Sequence, residues 1–532
     1  MAKPTEYLVD MPVITAPFGL NEDDAPSQLG PGEFPVLDYL VEWRKRLCVY
    51  YPVALTDFLT GTERMVSSFA IADGQVSGPT LRTVIFSTNR MYVSTNGGAI
   101  SEVTAAGGST AISVDAGTQN DFYSVTVVNG TLFFAHNGTG PLRQWVFGAA
   151  TFSDVAAPTG GYHNGTKYKP RFVAAHLNRL LLANDAAGVI TTQQYDFVWS
   201  VSGTPTDFTN FGSGHTTFVD TPDAISGLSF VGNRVIIYKT ETIVTGTPTG
   251  DALNPYFFER PFQGTEQNVG NLFAFSLVGD GSVDLFVSRR GVVAFNGSTM
   301  TPLGRGVDNK ILSTSAASPF TFQGTLVTNS GTNNLLNLYA LQISIAGTSN
   351  RVYVLNLNTF KWSTLSAGAG FGNIKGIGSF FTSGLDKVLV IGSDVASGSS
   401  QQVAQMKLAT GSNTIPTNVR AQLQIPPGVY QKSGARQVTI ERLGVTYTRT
   451  TTTTFPVTWS VDNELAAGSE TNQNLYTAGD YAAAENFTWV DILATGRLPF
   501  INFKLPSGDG STSRAWPQIA SFALQVSPGD VS

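Results

Sequence analysis

Residues 171–185 are RFVAAHLNRLLLAND, and residues 225–239 are ISGLSFVGNRVIIYK. Each is a run of strand-forming residues, a two-residue turn and a second run. The turns fall at Leu177-Asn178 and Gly232-Asn233. Short apolar runs bounded by Gly, Asn and Asp mark β-hairpins, not helices. The pattern recurs at TVIFS and MYVST (83–87 and 91–95), joined across Asn89-Arg90, and at SVTVVNGTLFFAH (124–136), turning at Asn129-Gly130. Asn-Gly supplies the positive φ that a tight hairpin needs. Further copies are VDLFVSRRGVVAFNG (283–297), turning near Arg290-Gly291, then LLNLYALQIS (335–344) with NRVYVLNLNTFKWSTL (350–365), and IGSFFTSGLDKVLVIGSD (377–394).

Val84, Tyr123, Phe172, Leu228, Phe273, Gln323 and Ile377 mark these units at intervals of 39 to 56 residues. Several strands per repeat at a period of about 40–50 residues is the signature of a β-propeller. One blade cannot bury both faces alone, so the ring must close. The expectation is an all-β chain with a propeller over residues 46–412. About seven blades are expected, with six or eight open. Unrelated β-sandwiches with similar hairpins are the alternative.

The hairpin rhythm stops near residue 413. After NTIPTNVRAQLQIPPG (413–428) come longer runs at 435–449, 453–464, 496–507 and 516–527. Strands with one apolar face fit an antiparallel β-sandwich-like domain over 413–532. The run Thr450 to Thr454 is expected in an exposed strand or hairpin loop, with a protruding tip that contacts a partner as the alternative. Residues 1–45 are Pro-rich, acidic and extended, and cannot fold alone. This N-terminal arm must lie on its own propeller or on a neighbour. Its apolar anchors, Val13, Phe18, Leu20 and Leu29, are interface candidates. So is the basic run Arg44, Lys45, Arg46, expected to be a strand end or subunit contact.

Only 13% of the 532 residues are charged, the net charge is −6, and 55 are glycine. Aromatics reach 11%, too many for a disordered chain. Tight duplex binding needs a basic face, which this balance argues against. It does not forbid a wall along which DNA slides. A single cysteine, Cys48, excludes an internal disulfide framework and a cysteine-rich metal site. The opening MAKPTEYLVDMP lacks the apolar core of a signal peptide. No apolar stretch is long enough to span a bilayer. The expectation is a chain made in a reducing cytoplasm without an export route.

Catalytic motifs are scarce. His136, His163, His176 and His215 form no zinc-ligand spacing. No G-x-S-x-G elbow is present. Gly368, Gly370 and Gly372 lack the Gly-Lys-Ser/Thr ending of a phosphate loop. Glycan-cleaving propellers use two or three central carboxylates, for which Asp185, Asp220, Asp223 and Asp284 are the candidates. None sits in a motif, and Arg289-Arg290 is expected at a solvated hairpin tip. The expectation is a protein that is not an enzyme and has no catalytic residue, cofactor or metal.

The order of several stretches adds to this. GLNEDDAPSQLGPGEFPVLDYL (19–40), RFVAAHLNRLLLAND with DFVWSVSGTPTDF (196–208), VGNRVIIYKTETIVTGT (231–247), SRRGVVAFNGSTMTPLGRGVDNKI (288–311), RVYVLNLNTFKWSTL (351–365) and GRLPFINFKL (496–505) follow one another. In this order the chain resembles the tail nozzle (tail tubular or hub) family of short-tailed bacteriophages (podoviruses). That resemblance implies a structural virion protein: a homohexamer ring below the portal and adaptor. Such a ring extends the DNA channel, retains packaged DNA and passes it on at ejection. It implies partners in the adaptor and portal, in tail fibre, spike or needle proteins, and in double-stranded DNA in transit. It also implies a place in the virion tail after assembly in the bacterial cytoplasm. The rival readings are a glycan-hydrolysing propeller enzyme and a receptor- or glycan-binding fibre component.

Overall fold

The structure is a computed structural model of the chain. It describes residues 13–528 apart from inter-strand stretches, the longest being 113–121, 314–321, 329–335, 344–350, 395–402, 409–420, 426–437, 463–470, 477–484 and 505–517. The described residues are almost entirely β-sheet.

The hairpins assemble into successive small antiparallel sheets. Sheet A holds Met65–Ala72, Leu81–Ser87, Met91–Thr95 and Ile100–Ala105. Sheet B holds Tyr123–Val128, Thr131–His136, Arg143–Val146 and Thr151–Asp154. Sheet C holds Pro170–His176, Arg179–Asp185, Asp196–Trp199 and Gly214–Thr217. Sheet D holds Ile225–Val231, Arg234–Lys239, Ile243–Pro248 and Tyr256–Glu259. Sheet E holds Val278–Gly279, Asp284–Ser288, Gly291–Phe295 and Met300–Pro302. Sheet F holds Phe322–Val327, Leu338–Ile343, Arg351–Asn356 and Lys361–Ser366. Sheet G holds Asn373–Phe381, Lys387–Asp394 and Val403–Leu408, and its fourth strand is Arg46–Ala54 from the other end of the chain. Several distinct sheets in this order form a β-propeller-like architecture.

Local chemistry explains the hairpins. Leu177 and Asn178 both take positive φ, 50° and 55°, as a two-residue turn between right-twisted strands requires. Asn129 and Gly130 do the same at 49° and 72°. The sheets pack face to face through apolar side chains. Phe86 of sheet A stacks on Tyr123 of sheet B at 4.1 Å. Phe172, Leu181 and Phe197 of sheet C share a cluster with Ile225, Val235 and Ile237 of sheet D.

Sheet E departs from the pattern. Its first strand has two residues, and a 3₁₀ turn at Ala274–Ser276 precedes it. Asn271 holds that turn: its side-chain amide donates to the carbonyls of Ser226 and Ala274, and its Oδ1 accepts from the Ser276 hydroxyl. Phe275 then lies 4.9 Å from Phe122 and 5.6 Å from Phe172. Aromatic side chains from just before sheet B, from sheet C and from the turn before sheet E therefore meet. Of the seven sequence marks, Tyr123, Phe172, Leu228, Gln323 and Ile377 lie on first strands. Val84 lies on a second strand, and Phe273 just precedes the 3₁₀ turn.

Two larger sheets follow sheet G in sequence. One contains Val438–Thr448, Glu485–Gly496 and Gln518–Pro528. The other runs Gln422–Ile425, Phe500–Lys504, Phe455–Asp462, Thr471–Tyr476. Leu423 and Ile501 from one and Leu443, Val445 and Phe522 from the other belong to one core. Thr450 to Thr454 lie outside the described residues.

The N-terminal segment is built into both sheets. Val13–Thr15 pairs antiparallel with Ser521–Ala523. Val36–Asp38 lies between sheet F and Gln422–Ile425, pairing with each. Phe34 is fully buried and contacts Phe522 at 6.5 Å. Leu40–Trp43 forms a hairpin with Arg46–Ala54. That long strand meets Ile519 at Leu47 and sheet G at residues 50–54.

Candidate functional site

The motifs GLNEDD, GRGVDNK and RVYVLNL, far apart in sequence, meet at one place. The Glu22 carboxylate accepts from the Arg351 guanidinium and the Tyr353 hydroxyl, both at 2.8 Å. The Asp23 carboxylate accepts from the backbone N–H groups of Asn309 and Lys310, both at 3.2 Å. These open the short helix Asp308–Ser313, where a carboxylate satisfies unpaired N–H groups. The Asn21 Oδ1 accepts from the N–H groups of Asp23 and Asp24. The backbone of Glu22 donates to the Gly306 carbonyl at 2.6 Å. Asp308 turns back and accepts from the Val292 N–H at 2.8 Å. Burial, with the Asp23 charge nearby, holds Asp308 above the usual carboxylate range. A β-carbon at Gly304 would overlap the Asp308 carboxyl, so this turn needs glycine. The Trp362 indole closes the latch by donating to the Leu303 carbonyl at 2.8 Å.

A cleft of about 700 Å³ lies beside sheet G. Tyr50, Phe58 and Phe380 supply aromatic wall, and Leu338 and Met406 add apolar surface. The hairpin Thr382–Lys387 and the strand residue Lys407 bring polar groups. Burial lowers the Lys387 ammonium to about 8.

Asp185 and Asp284 are held apart from the other candidate carboxylates. Asp185 is fully buried and accepts from the Lys169 N–H at 2.8 Å. Asp284 accepts from the hydroxyls of Tyr238 (2.7 Å) and Ser229 (2.8 Å), and burial pushes it up to about 7. Asp220 and Asp223 do meet, around Lys239. The fully buried Lys239 ammonium lies 3.3 Å from Asp223 and donates to Thr221 and the Phe218 carbonyl. Asp220 pairs with Arg260. Burial works against the Asp223 charge, but bonds from Thr221, Glu241 and Thr242 and the Lys239 charge hold its carboxyl below the usual range.

Among the histidines, His136 is buried, stacked on Tyr123 at 4.7 Å and bonded to Thr139. Burial and the Arg143 charge lower it to about 4. His176 bonds the Tyr256 hydroxyl at 3.2 Å. His215 is exposed on an outer strand. His163 and Gly368, Gly370 and Gly372 lie outside the described residues. Among the described residues no group of three or more His, Cys, Asp or Glu is placed to hold a metal ion. No described helix is long and apolar enough to cross a membrane.

The interface candidates are spread out. Val13 pairs with Ala523, Leu20 and Leu29 are buried, and Phe18 lies outside the described residues. Arg44 and Lys45 are exposed at a hairpin tip with φ of 50° and 62°, followed by half-buried Arg46. Arg289 reaches Glu241 at 2.8 Å. The sequence marked GLNEDD only by its resemblance. The acid pair beside Asn and a later Gly-Val-Asp-Asn was the local cue to a helix cap.

No protein-family model matches the chain, and no curated protein matches it. Solved structures do. One is the extracellular domain of a two-component system from B. thetaiotaomicron, 11% identical with a TM-score of 0.40, covering 69% of this chain and 41% of that one. The chain thus spans less than half of that structure. Another is an exo-β-1,3-galactanase from Phanerochaete chrysosporium, 11% identical, TM-score 0.24, covering 80% and 99%. A third is a family 43 arabinoxylan arabinofuranohydrolase from Bacillus subtilis, 11% identical, TM-score 0.24, covering 93% and 96%. These are distant likenesses of fold. One expectation is withdrawn: glycoside hydrolases and a prolyl endopeptidase are among the structures matched, so the chain is not set apart from enzymes.

Proposed function

We propose that the chain is a tail nozzle subunit of a short-tailed phage, a ring former placed below the portal and adaptor. Six copies would continue the DNA channel, retain packaged DNA and release it at ejection. The supporting observation is the latch. Three of the stretches that carry the family resemblance pack on one another through Glu22, Asp23 and Arg351. They therefore act as one structural unit. Within this reading sheets A to G are seven blades of a closed propeller. Closure is supported by the parallel pairing of Ile377 and Gly378 with Ser67 and Ser68 and by the N-terminal strand that completes sheet G. The low charge suits a wall that DNA passes without exchanging its counterions for Lys and Arg side chains. Electron microscopy of the chain mixed with its adaptor tests the proposal. Rings stacked on the adaptor are expected, and a chain that never joins the adaptor overturns it.

The cleft favours a second reading, a glycan-acting propeller. Aromatic wall beside polar groups suits a sugar ring, and Asp386 lines it as one of the two carboxylates that such hydrolysis needs. Incubation with bacterial polysaccharide would release reducing ends, and Asp386→Asn would abolish the release. No release from any capsular or cell-wall glycan rejects this reading.

A further inference from the structure

One end of sheets C and D presents apolar side chains to water. Phe211 is 72% exposed, Leu253 51%, Leu177 48% and Phe230 40%. The turns at 177–178 and 231–234 and the loops at 200–213 and 249–255 lie at this end, because alternate turns of an antiparallel sheet share one end. The groups touch. The Ser202 hydroxyl donates to the Leu177 carbonyl at 3.2 Å. The buried Arg179 guanidinium donates to the Ser200 and Gly212 carbonyls. Gly212 abuts the Ala252 carbonyl, and the Phe230 ring lies 6.4 Å from His176. At the rim, Asp207 and exposed Asp251 add negative charge, while Arg234 and Glu259 pair at 3.8 Å.

We infer that this face docks a second copy of the chain and receives its Arg44-Lys45 hairpin tip. The inference rests on the ring reading above. In a closed circuit from A to G, sheets C and D lie opposite sheet G. The hairpin continues from the outer strand of sheet G, so tip and face cannot meet within one chain. A basic tip and an acid-rimmed apolar face are complementary only between copies, head to tail. Repetition of one such contact builds a ring when its rotation closes. Apolar side chains supply the buried area, and the charges set register and suppress wrong partners.

The test is sedimentation of the full chain, with thermal melting of every variant as the check on folding. The wild type is expected to form rings. Phe211→Asp with Leu253→Asp should weaken association at least tenfold with an unchanged melt. Lys45→Glu should weaken it too, and adding Asp251→Lys to that variant should restore it. Rings that persist in the Phe211/Leu253 double variant, or an unrestored charge swap, overturn this interface and leave ring formation standing. A wild-type chain that stays monomeric at every concentration, with and without adaptor, overturns the ring reading and this interface with it.

Discussion

Glu22 makes two charge-assisted bonds to groups that sit more than three hundred residues away in sequence. Glu22→Ala should cost about 1–2 kcal/mol, since the Arg351 end is partly exposed. Chemical denaturation of the variant would show it as a lower midpoint, and an unchanged midpoint would count against the latch. Two other acids give the protein a pH signature. Burial raises Asp284 to about 7 and Asp38 to about 6. A carboxyl whose folded value lies above its unfolded one stabilises most below the unfolded value, and that contribution fades as pH rises through the folded one. The difference in melting temperature between wild type and Asp284→Asn should therefore shift in favour of the variant between pH 4 and pH 8. A constant difference would contradict the assignment.

Elements were legible where turn chemistry was local. Asn129-Gly130 and Leu177-Asn178 declare their hairpins because two residues must carry positive φ. The first strand of sheet E was hidden because its polar anchor, Asn271, works through Ser226 and Ser276, and no periodicity encodes that. The role of Glu22 and Asp23 was only hinted at by the acids beside Asn21, because their partners at 309, 310 and 351 lie far away in sequence. The carboxylates were conspicuous by rarity, yet Asp185 and Asp284 prove to be tied to neighbouring strands. Gly378 makes an element-scale prediction. A β-carbon there would lie 2.3 Å from the Ser68 carbonyl, so it permits sheets G and A to pair. Gly378→Val should lower the melting temperature by several degrees or prevent folding, whereas the same change at exposed Gly384 should do neither.

At the scale of the molecule, the N-terminal segment joins the propeller-like sheets to the C-terminal pair. Phe34 is fully buried in the largest core, so Phe34→Ala should cost about 3–5 kcal/mol. A urea midpoint that does not move would show that the segment is dispensable. Deleting residues through 43 should give insoluble chain, because it strips the partners of residues 422–424 and 521–523.

The strand Arg46–Ala54 belongs to both halves, touching Ile519 near its start and running along Tyr50 to Ala54 against Leu408 to Ala404. A pull between the two halves would not peel its bonds open one at a time. It would load them side by side, as a lap joint is loaded along its length, with Pro52 placed on the outer strand where a missing N–H is tolerated. Tension and torque are then shared by many weak bonds at once, and the two halves must turn together.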